Sequence, residues 1–280
     1  LVLPTLAIFA YLSVRVIQTD IWHVSLSRGF STVERVLTES RIVVDYLRHW
    51  FIPELYTSGV FHDQYPKSTG ILSPASTIFS ICFHLIIVGL ALAYRKRYSL
   101  VAFAVLFFYA GHLIESTVIS LELYFEHRNY LPVAFLILPA CYLLAKKLSR
   151  VVAITAAAIV LMTLALFTRY SANIWSSYDS MAIAWASKQP DSVRAQQQAS
   201  MVLYNRGDAD AAIAVADRFL AKEPGNYYMQ LWKVTVACKG NRLNAEGVTD
   251  TEKLAANSVY DLRTLNLHQE FVDLVVLQNC

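Results

Sequence analysis

Between two apolar runs the chain reads ESTVISLELYFEHRNYLP, from Glu115 to Pro132. The ionisable residues of this stretch are Glu115, Glu122, Glu126, His127 and Arg128. Ionisable groups at the depth or the edge of a membrane are costly, so their presence there indicates a function. If the helix that enters the stretch continues through it, its glutamates fall on one face, and His112 lies one turn before them. Pro132 then begins a new apolar segment.

The composition separates a membrane part from a soluble part. Of the 280 residues, 56% are hydrophobic and 16% are charged, whereas soluble domains carry about 25% charged residues. The deficit lies in residues 1–168, and residues 169–280 are as polar as an ordinary soluble domain. The net charge is only +3, and no basic stripe with interleaved aromatic residues occurs, so nucleic acid is not an expected partner.

The apolar segments predict a polytopic helical membrane domain. Spans are expected at about 1–17, 73–94, 100–119, 131–145 and 151–168, since a spanning helix needs about 20 residues. Two short loops are rich in basic residues, which favour the cytoplasmic side. We therefore expect the loops 95–99 and 146–150 inside, and residues 18–72, 113–130 and the chain after 168 outside.

Residues 31–51 have the pattern of an amphipathic helix. Ser31 and Glu34 form a capping-box signature, and Pro53 follows the end of the pattern. Its apolar positions are Val33, Val36, Leu37, Val44, Leu47 and Phe51. The polar positions are Glu34, Arg35, Thr38, Arg41, Asp45 and Arg48. The apolar face either lies in the membrane interface or packs on protein.

The polar C-terminal part predicts an all-α, tetratricopeptide-like solenoid of antiparallel helix pairs. Pro190 and Pro224 are separated by the repeat period of about 34 residues, and Asn205–Asp208 is the expected turn between two helices. An unrelated array of helical hairpins is the alternative. The large aromatic residues of this part are Tyr204, Tyr227, Tyr228 and Trp232. They either line a concave, partner-binding face or lie in the core between helices.

No metal-binding pattern occurs in the sequence. The cysteines are Cys82, Cys141, Cys238 and Cys280, without a CxxC pair. The first two fall in predicted spans, whereas a bridge between the last two is one alternative outside the cytoplasm. His62 and Asp63 are too few ligands for a metal ion and are expected to form loop hydrogen bonds.

Several motifs together resemble a known family. They are ERVLTE at 34–39, Asp45-Tyr-Leu47, GVFHD at 59–63, Glu115-Ser116 and FEHRNYLP at 125–132. In this order, and followed by repeat-like helices, they resemble bacterial multispanning membrane proteins with C-terminal tetratricopeptide repeats. Those proteins are similar to the eukaryotic transmembrane-and-tetratricopeptide O-mannosyltransferases, which have the GT-C fold. The resemblance covers nearly all of the chain.

The resemblance implies a membrane glycosyltransferase. Such an enzyme moves a sugar from a polyprenyl-phosphate donor to a protein acceptor at the outer face of the membrane, and it needs no further cofactor. Its general base is an acidic residue of the first outer loop, which is expected upstream of residue 1. The expected location is the bacterial inner membrane, with the C-terminal domain in the periplasm and able to bind the acceptor or another protein.

Arg128 and His127 are the candidate residues for the donor phosphate. Arg128 can pair bidentately with a phosphate, and His127 can donate a hydrogen bond or a proton. Alternatively, Arg128 and Glu126 only hold the turn together. The family motif is Glu-Arg followed by Tyr-Leu-Pro, whereas here His127 intervenes, which leaves open which side chain reaches the donor. We expect both residues to face a cavity between the spans, partly covered by the 31–51 helix.

Glu115 is the second candidate, with Glu122, Glu126 and His112 as supporting polar residues. Glu115 either orients a cationic partner or binds acceptor hydroxyl groups, or it forms a structural pair with Arg128 or an upstream helix. Two other functions are compatible with the sequence. One is a non-catalytic, membrane-anchored repeat scaffold for envelope assembly, and the other is a ligase or polymerase that uses a lipid-linked oligosaccharide.

Overall fold

The computed structural model describes residues 2–18, 21–22, 29–52, 62–119, 121–243, 245–256, 258 and 262–278. Within these ranges the regular elements are helices, which confirms the all-α prediction. The chain divides into two compact units. The first comprises Leu1–Val60 and Tyr65–Tyr170, and the second comprises Phe61–Gln64 and Ser171–Cys280.

The helices that begin in the first unit are α1 (Val2–Gln18), α2 (Thr32–Phe51), α3 (Ser76–Ala93), α4 (Ser99–His112), α5 (Ile137–Lys147) and α6 (Arg150–Ile174). Between α4 and α5 lie two 3-10 turns, Glu126–Asn129 and Pro132–Phe135. Helices α3 and α6 are long and apolar enough to cross a membrane. None of the side chains of α6 is buried.

Helix α2 begins at the predicted capping box. The Ser31 backbone N–H donates to the Glu34 carboxylate at 2.7 Å, and the Glu34 N–H donates to the Ser31 hydroxyl at 3.2 Å. The buried face differs from the apolar stripe of the sequence. Arg35, Thr38 and Glu39 are buried, whereas 41% of Val36 is exposed. The buried face of α2 therefore combines these polar side chains with Ile42, Val43 and Tyr46, and part of the apolar stripe remains exposed.

The predicted span at 100–119 is too long. Helix α4 ends at His112 and turns follow it, so it has 14 residues and a length of about 21 Å. The expectation that Glu115, Glu122 and Glu126 share one helical face is consequently wrong. The reason is that the backbone carbonyls after His112 bind an arginine side chain, described below, instead of continuing the helix.

The predicted span at 131–145 is also interrupted. A 3-10 turn begins at Pro132, and α5 begins only at Ile137, where Pro139 fits the first helical turn. In one continuous helix, Pro139 would lie in the interior and remove a backbone hydrogen bond. Pro132 also packs directly on Gly111 of α4, where an added Cβ would lie 2.8 Å from the Pro132 Cγ atom.

Polar contacts connect α2, α3 and α4. His84, in the middle of α3, donates from Nε2 to the Ser40 carbonyl of α2 at 2.7 Å. Its Nδ1 atom then accepts a hydrogen bond of 2.8 Å from the Tyr109 hydroxyl of α4. This one side chain therefore joins the three helices through two hydrogen bonds.

The helices of the second unit are α7 (Tyr178–Lys188), α8 (Val193–Asn205), α9 (Ala209–Leu220), α10 (Tyr227–Lys239), α11 (Ala245–Ala255) and α12 (Leu262–Gln278). The predicted turn lies between α8 and α9, and Gly207 adopts a φ of 86°, which suits glycine. Asp208 caps α9 by accepting a hydrogen bond from the Ala211 N–H at 2.9 Å. The sequence thus predicts this helical hairpin well.

The core of the second unit forms where α8, α9 and α10 meet. Ala212 is fully buried, and its carbonyl accepts a hydrogen bond of 2.8 Å from Ser200. The Trp232 indole N–H donates to the same Ser200 hydroxyl at 2.9 Å. Cys238 is buried and disulfide-bonded. Cys280, the partner considered for it, lies outside the described residues.

Candidate functional site

A buried ion pair lies on the inner face of α2. Arg35 and Glu39 are one turn apart, with Arg35 Nη2 2.8 Å from Glu39 Oε1. The exposed fractions of the two side chains are 0% and 1%. Two charges removed from water this completely are stable only when further hydrogen bonds satisfy them.

The remaining donors of Arg35 bind backbone carbonyls of the segment after α4. Its guanidinium donates to the carbonyl oxygens of Glu115 at 2.5 Å, Thr117 at 3.0 Å and Leu121 at 2.5 Å, with a weaker contact of 3.3 Å to Glu122. One side chain thereby replaces the helical hydrogen bonds that this segment lacks. Arg35 therefore determines the shape of the stretch that carries the predicted site.

Arg128 lies beside this ion pair, and the exposed fraction of its side chain is 6%. Its Nη1 atom donates to the Glu122 carbonyl at 2.5 Å and lies 3.9 Å from Glu39 Oε1. Its Nε atom lies 3.6 Å from Glu115 Oε2, and the guanidinium lies 5.0 Å from the centre of the Phe125 ring. Arg128 consequently faces protein groups, contrary to the expectation that it faces an open cavity.

The electrostatics of the cluster centre on Glu39. Burial raises the pKa of its carboxyl group from 4.5 to about 7, although Arg35 and Arg128 lower it. The cost of desolvation exceeds the attraction of the two guanidinium groups. Glu39 therefore exchanges its proton near neutral pH, where a fully solvated glutamate is ionised.

Tyr46 connects α2 to the 3-10 turn that holds Arg128. Its hydroxyl donates to the Phe125 carbonyl at 2.8 Å and accepts from the Phe125 N–H at 2.9 Å. The Asn129 side chain donates to the Tyr46 carbonyl at 3.2 Å. Burial raises the pKa of the Tyr46 hydroxyl, so it stays protonated. These bonds hold Phe125 and Asn129, which lie on either side of Arg128 in the chain, against Tyr46 of α2.

The other predicted residues have separate positions around the cluster. Glu115 is 45% exposed at its side chain, and His127 is exposed, with its ring 4.9 Å from that of Phe125. His112 is buried and stacks on Tyr46 at 5.6 Å. Glu122 contributes its backbone carbonyl, and Glu126 begins a 3-10 turn. The structure thus brings Glu115, Arg128 and Glu39 together, and leaves His127 at the surface.

Sequence reasoning assigned no role to Arg35, Glu39 or Tyr46. Arg35 and Glu39 are an oppositely charged pair at i and i+4, a spacing that also occurs on solvated helix surfaces. The sequence alone does not distinguish the two cases. Val36 and Leu37 are apolar neighbours of the pair in the sequence, and the structure leaves Val36 41% exposed while it buries Arg35 and Glu39.

The proposed aromatic face of the second unit is only partly accessible. Tyr227 and Trp232 are buried in the core between the helices, which is the alternative to a partner-binding face. Tyr204 and Tyr228 are half-buried against the same core, and the Tyr228 hydroxyl donates to Gln197 at 2.6 Å.

Asp63 accepts a hydrogen bond of 2.5 Å from Ser192, the N-cap of α8.

Comparisons with known proteins gave no relatives. The chain matches no protein-family model, no curated protein and no solved structure. Among the described residues, no group of three or more histidine, cysteine or acidic side chains is arranged to hold a metal ion. A function is therefore inferred from the buried cluster of Arg35, Glu39 and Arg128.

Proposed function

We propose that this chain belongs to a membrane glycosyltransferase that moves a sugar from a polyprenyl-phosphate donor to a protein acceptor. The observation that carries the proposal is the half-satisfied guanidinium of Arg128. Its Nη1 edge is fixed by a backbone carbonyl, whereas its Nε edge has only the long contact of 3.6 Å to the half-exposed Glu115. An anion can displace such a carboxylate.

The exposed apolar surface supports a location in a membrane. Phe79 and Leu85 of α3 are exposed by 71% and 69%, and Ile159 and Leu161 of α6 by 63% and 66%. Large apolar side chains exposed together on the surface mark membrane or protein interaction sites. The disulfide of Cys238 supports a second unit outside the cytoplasm, because disulfides persist in oxidising compartments such as the periplasm. The bacterial inner membrane is the location that we propose.

The geometry favours a phosphate as the anion. A phosphate at the place of the Glu115 carboxylate accepts two parallel hydrogen bonds from the Nε edge of Arg128. Glu39 does not reach the surface, so it acts as a positioning residue that keeps the guanidinium in its plane. His127, exposed on the same 3-10 turn, is the second donor. The acceptor and the sugar contact other parts of the protein.

The second unit is proposed to be a tetratricopeptide-like solenoid that holds the acceptor protein. Its support is the α8–α9 hairpin, with Gly207 at the turn and the buried small residue Ala212 at the close approach of the helices. The consensus of this repeat places a glycine and an alanine at such positions.

Substitution of Arg128 tests the proposed function in the full-length protein. Membranes are supplied with radiolabelled polyprenyl-phosphate mannose, and transfer to protein is counted. Arg128→Ala is expected to lower transfer roughly a hundredfold, because one preorganised donor is lost. Arg128→Lys restores only part of the rate, since an ammonium group lacks the bidentate fork. Glu115→Gln is expected to lower the KM for the donor, because the competing charge is removed.

Arg48→Ala is the matched control, since Arg48 lies on α2 with a half-exposed side chain. It should transfer sugar at the normal rate. Normal transfer by Arg128→Ala contradicts the proposal. Loss of the Arg128→Ala protein from the membrane instead favours the second candidate, a non-catalytic scaffold in which the cluster only joins α2 to the chain around Arg128. The many carbonyl bonds of Arg35 favour that candidate.

A further inference from the structure

A second candidate site lies away from the ionic cluster, between α3, α4 and α5. These helices enclose an apolar groove of about 470 Å³. Its lining includes Ile87, Leu90, Tyr94, Tyr98, Val101 and Leu143. The groove is open along one side, because Leu90 and Val101 are 49% and 40% exposed. An open apolar groove on a membrane-facing surface has the form of an acyl-chain site.

The groove ends at a cluster of basic residues. Tyr94 and Tyr98 line its end, and Arg95, Lys96 and Arg97 lie between them in the chain. Leu143 lines the opposite wall, and Lys146 and Lys147 form the last turn of the same helix. Both walls of the groove therefore end in positive charge, at the same end of the helices.

No acidic residue neutralises this charge along the chain. The sequence has no aspartate or glutamate from 64 to 114 or from 127 to 178. The Arg97 guanidinium lies 5.5 Å from the Tyr98 ring, and the Lys146 ammonium lies 5.8 Å from the Tyr142 ring. These cations rest on aromatic rings and remain available to an anion.

We propose that the groove binds an acidic phospholipid. One acyl chain lies along Leu90, Val101 and Leu143, and the headgroup phosphate contacts Arg97 and Lys146. Basic pockets between membrane helices on the cytoplasmic side recognise anionic headgroups in this way. The site rests on the proposed membrane location and is independent of sugar transfer. It would tune or stabilise the α3–α4–α5 packing that holds the stretch 113–131.

Native mass spectrometry of the full-length protein in a non-ionic detergent tests this site. Dioleoylphosphatidylglycerol is titrated, and dioleoylphosphatidylcholine is the matched lipid with the same acyl chains and a zwitterionic headgroup. The first adduct of the acidic lipid is expected to form at a concentration at least tenfold lower. Equal binding of both lipids overturns the proposal.

Two pairs of variants locate the site. Val101→Trp fills the groove and should abolish the preferred adduct, whereas Val151→Trp, at a 75% exposed position of α6, should keep it. Arg97→Gln should weaken the acidic lipid about fivefold, the effect of one basic residue near a membrane surface. Arg169→Gln removes the same charge from α6 and should have no effect. Variants that behave like their controls overturn the proposal.

An alkaline carbonate wash separates this proposal from the membrane assignment. Release of the protein from membranes by the wash contradicts the membrane location and, with it, the lipid site. Retention of the protein together with equal binding of both lipids contradicts the lipid site alone. Arg97→Gln affects a surface side chain, so its result is informative even if Val101→Trp fails to fold.

Discussion

Arg35 and Glu39 form an ion pair of 2.8 Å in which both side chains are excluded from solvent. Arg35 also carries four carbonyl contacts to residues 115–122. Removal of the Arg35 side chain takes the arginine partner away from a buried carboxylate and from several carbonyl groups. Breaking a buried ion pair costs about 3–5 kcal/mol. We therefore expect Arg35→Ala to lower the free energy of unfolding by this amount.

Thermal unfolding in detergent measures this effect. Arg48→Ala is the control on the same helix, because its ion pair with Asp45 is long, at 3.6 Å, and exposed. Its removal should cost about 0–1 kcal/mol. Similar unfolding temperatures for the two variants would show that the buried pair does not hold α2 to the segment after α4.

The raised pKa of Glu39 predicts a pH-dependent stability. The folded protein binds a proton at Glu39 up to a pH of about 7, whereas the unfolded chain releases it near 4.5. The folded state therefore holds more protons between these values, and stability falls as the pH rises from 4.5 to 7. The free energy of unfolding falls by about 3 kcal/mol over this pH range.

Glu39→Gln isolates this contribution. The variant keeps the shape of the neutral side chain, so the slope contributed by Glu39 between pH 4.5 and 7 should disappear. Glu115→Gln, at a half-exposed position of the same cluster, should retain the slope. A Glu39→Gln protein with the pH dependence of the wild type excludes Glu39 as its source.

The contact between Gly111 and Pro132 predicts that no side chain is tolerated at position 111. A Cβ there would lie 2.8 Å from Pro132 Cγ and 3.1 Å from Pro132 Cα. Gly111→Ala should therefore destabilise the protein by about 1–3 kcal/mol through overpacking. Gly89→Ala is the control, because an added Cβ meets nothing within 4 Å, and it should stabilise α3 by about 0.5–1 kcal/mol. Equal melting temperatures would contradict the close approach.

The close packing of α8 and α9 makes Ala212 sensitive to size. It is fully buried, and its carbonyl accepts the hydrogen bond from Ser200. Ala212→Leu should lower the stability of the second unit by about 1–3 kcal/mol. Ala214→Leu, at an exposed position of the same helix, should be nearly neutral. Urea unfolding followed by circular dichroism compares them, and a neutral Ala212→Leu would argue against the repeat-like packing.

The local features of the fold were predictable, and the long-range ones were not. Ser31 and Glu34 fix the start of α2, and Gly207 with Asp208 fixes the turn between α8 and α9, because each depends on neighbours within a few residues. The end of α4 depends on Arg35, which lies about 80 residues away. No periodicity in the sequence reports such a contact.

The candidate site was predicted in part for the same reason. Arg128 and Glu115 were recognised because charges between apolar runs are unusual. Their contact with Glu39 was missed, since a charged side chain on an amphipathic helix is ordinarily assigned to solvent. Only the tertiary fold shows that α2 buries Arg35 and Glu39 and leaves Val36 and Phe51 exposed.

The predicted membrane topology depends on two short helices, α4 and α5. Helix α4 has 14 residues and α5 has 11, whereas the hydrocarbon core is about 30 Å thick. In the topology that we propose, position 130 reaches the outer face of the membrane only if the irregular segments around Glu115 and Pro132 extend α4 and α5 across the hydrocarbon core. If α4 and α5 instead form a re-entrant loop that enters from the side of position 97, position 130 does not reach the outer face.

Single cysteine reporters decide between the two arrangements. The exposed thiols Cys82 and Cys141 are first replaced by serine, and a membrane-impermeant maleimide is applied from the periplasmic side. Tyr130→Cys and Arg218→Cys should be labelled, whereas Arg97→Cys and Lys147→Cys should react only after the membrane is opened, because basic loops remain in the cytoplasm. All four positions are exposed. Labelling of positions 97 and 218 from one side contradicts the topology, and protection of position 130 together with 97 establishes the re-entrant loop.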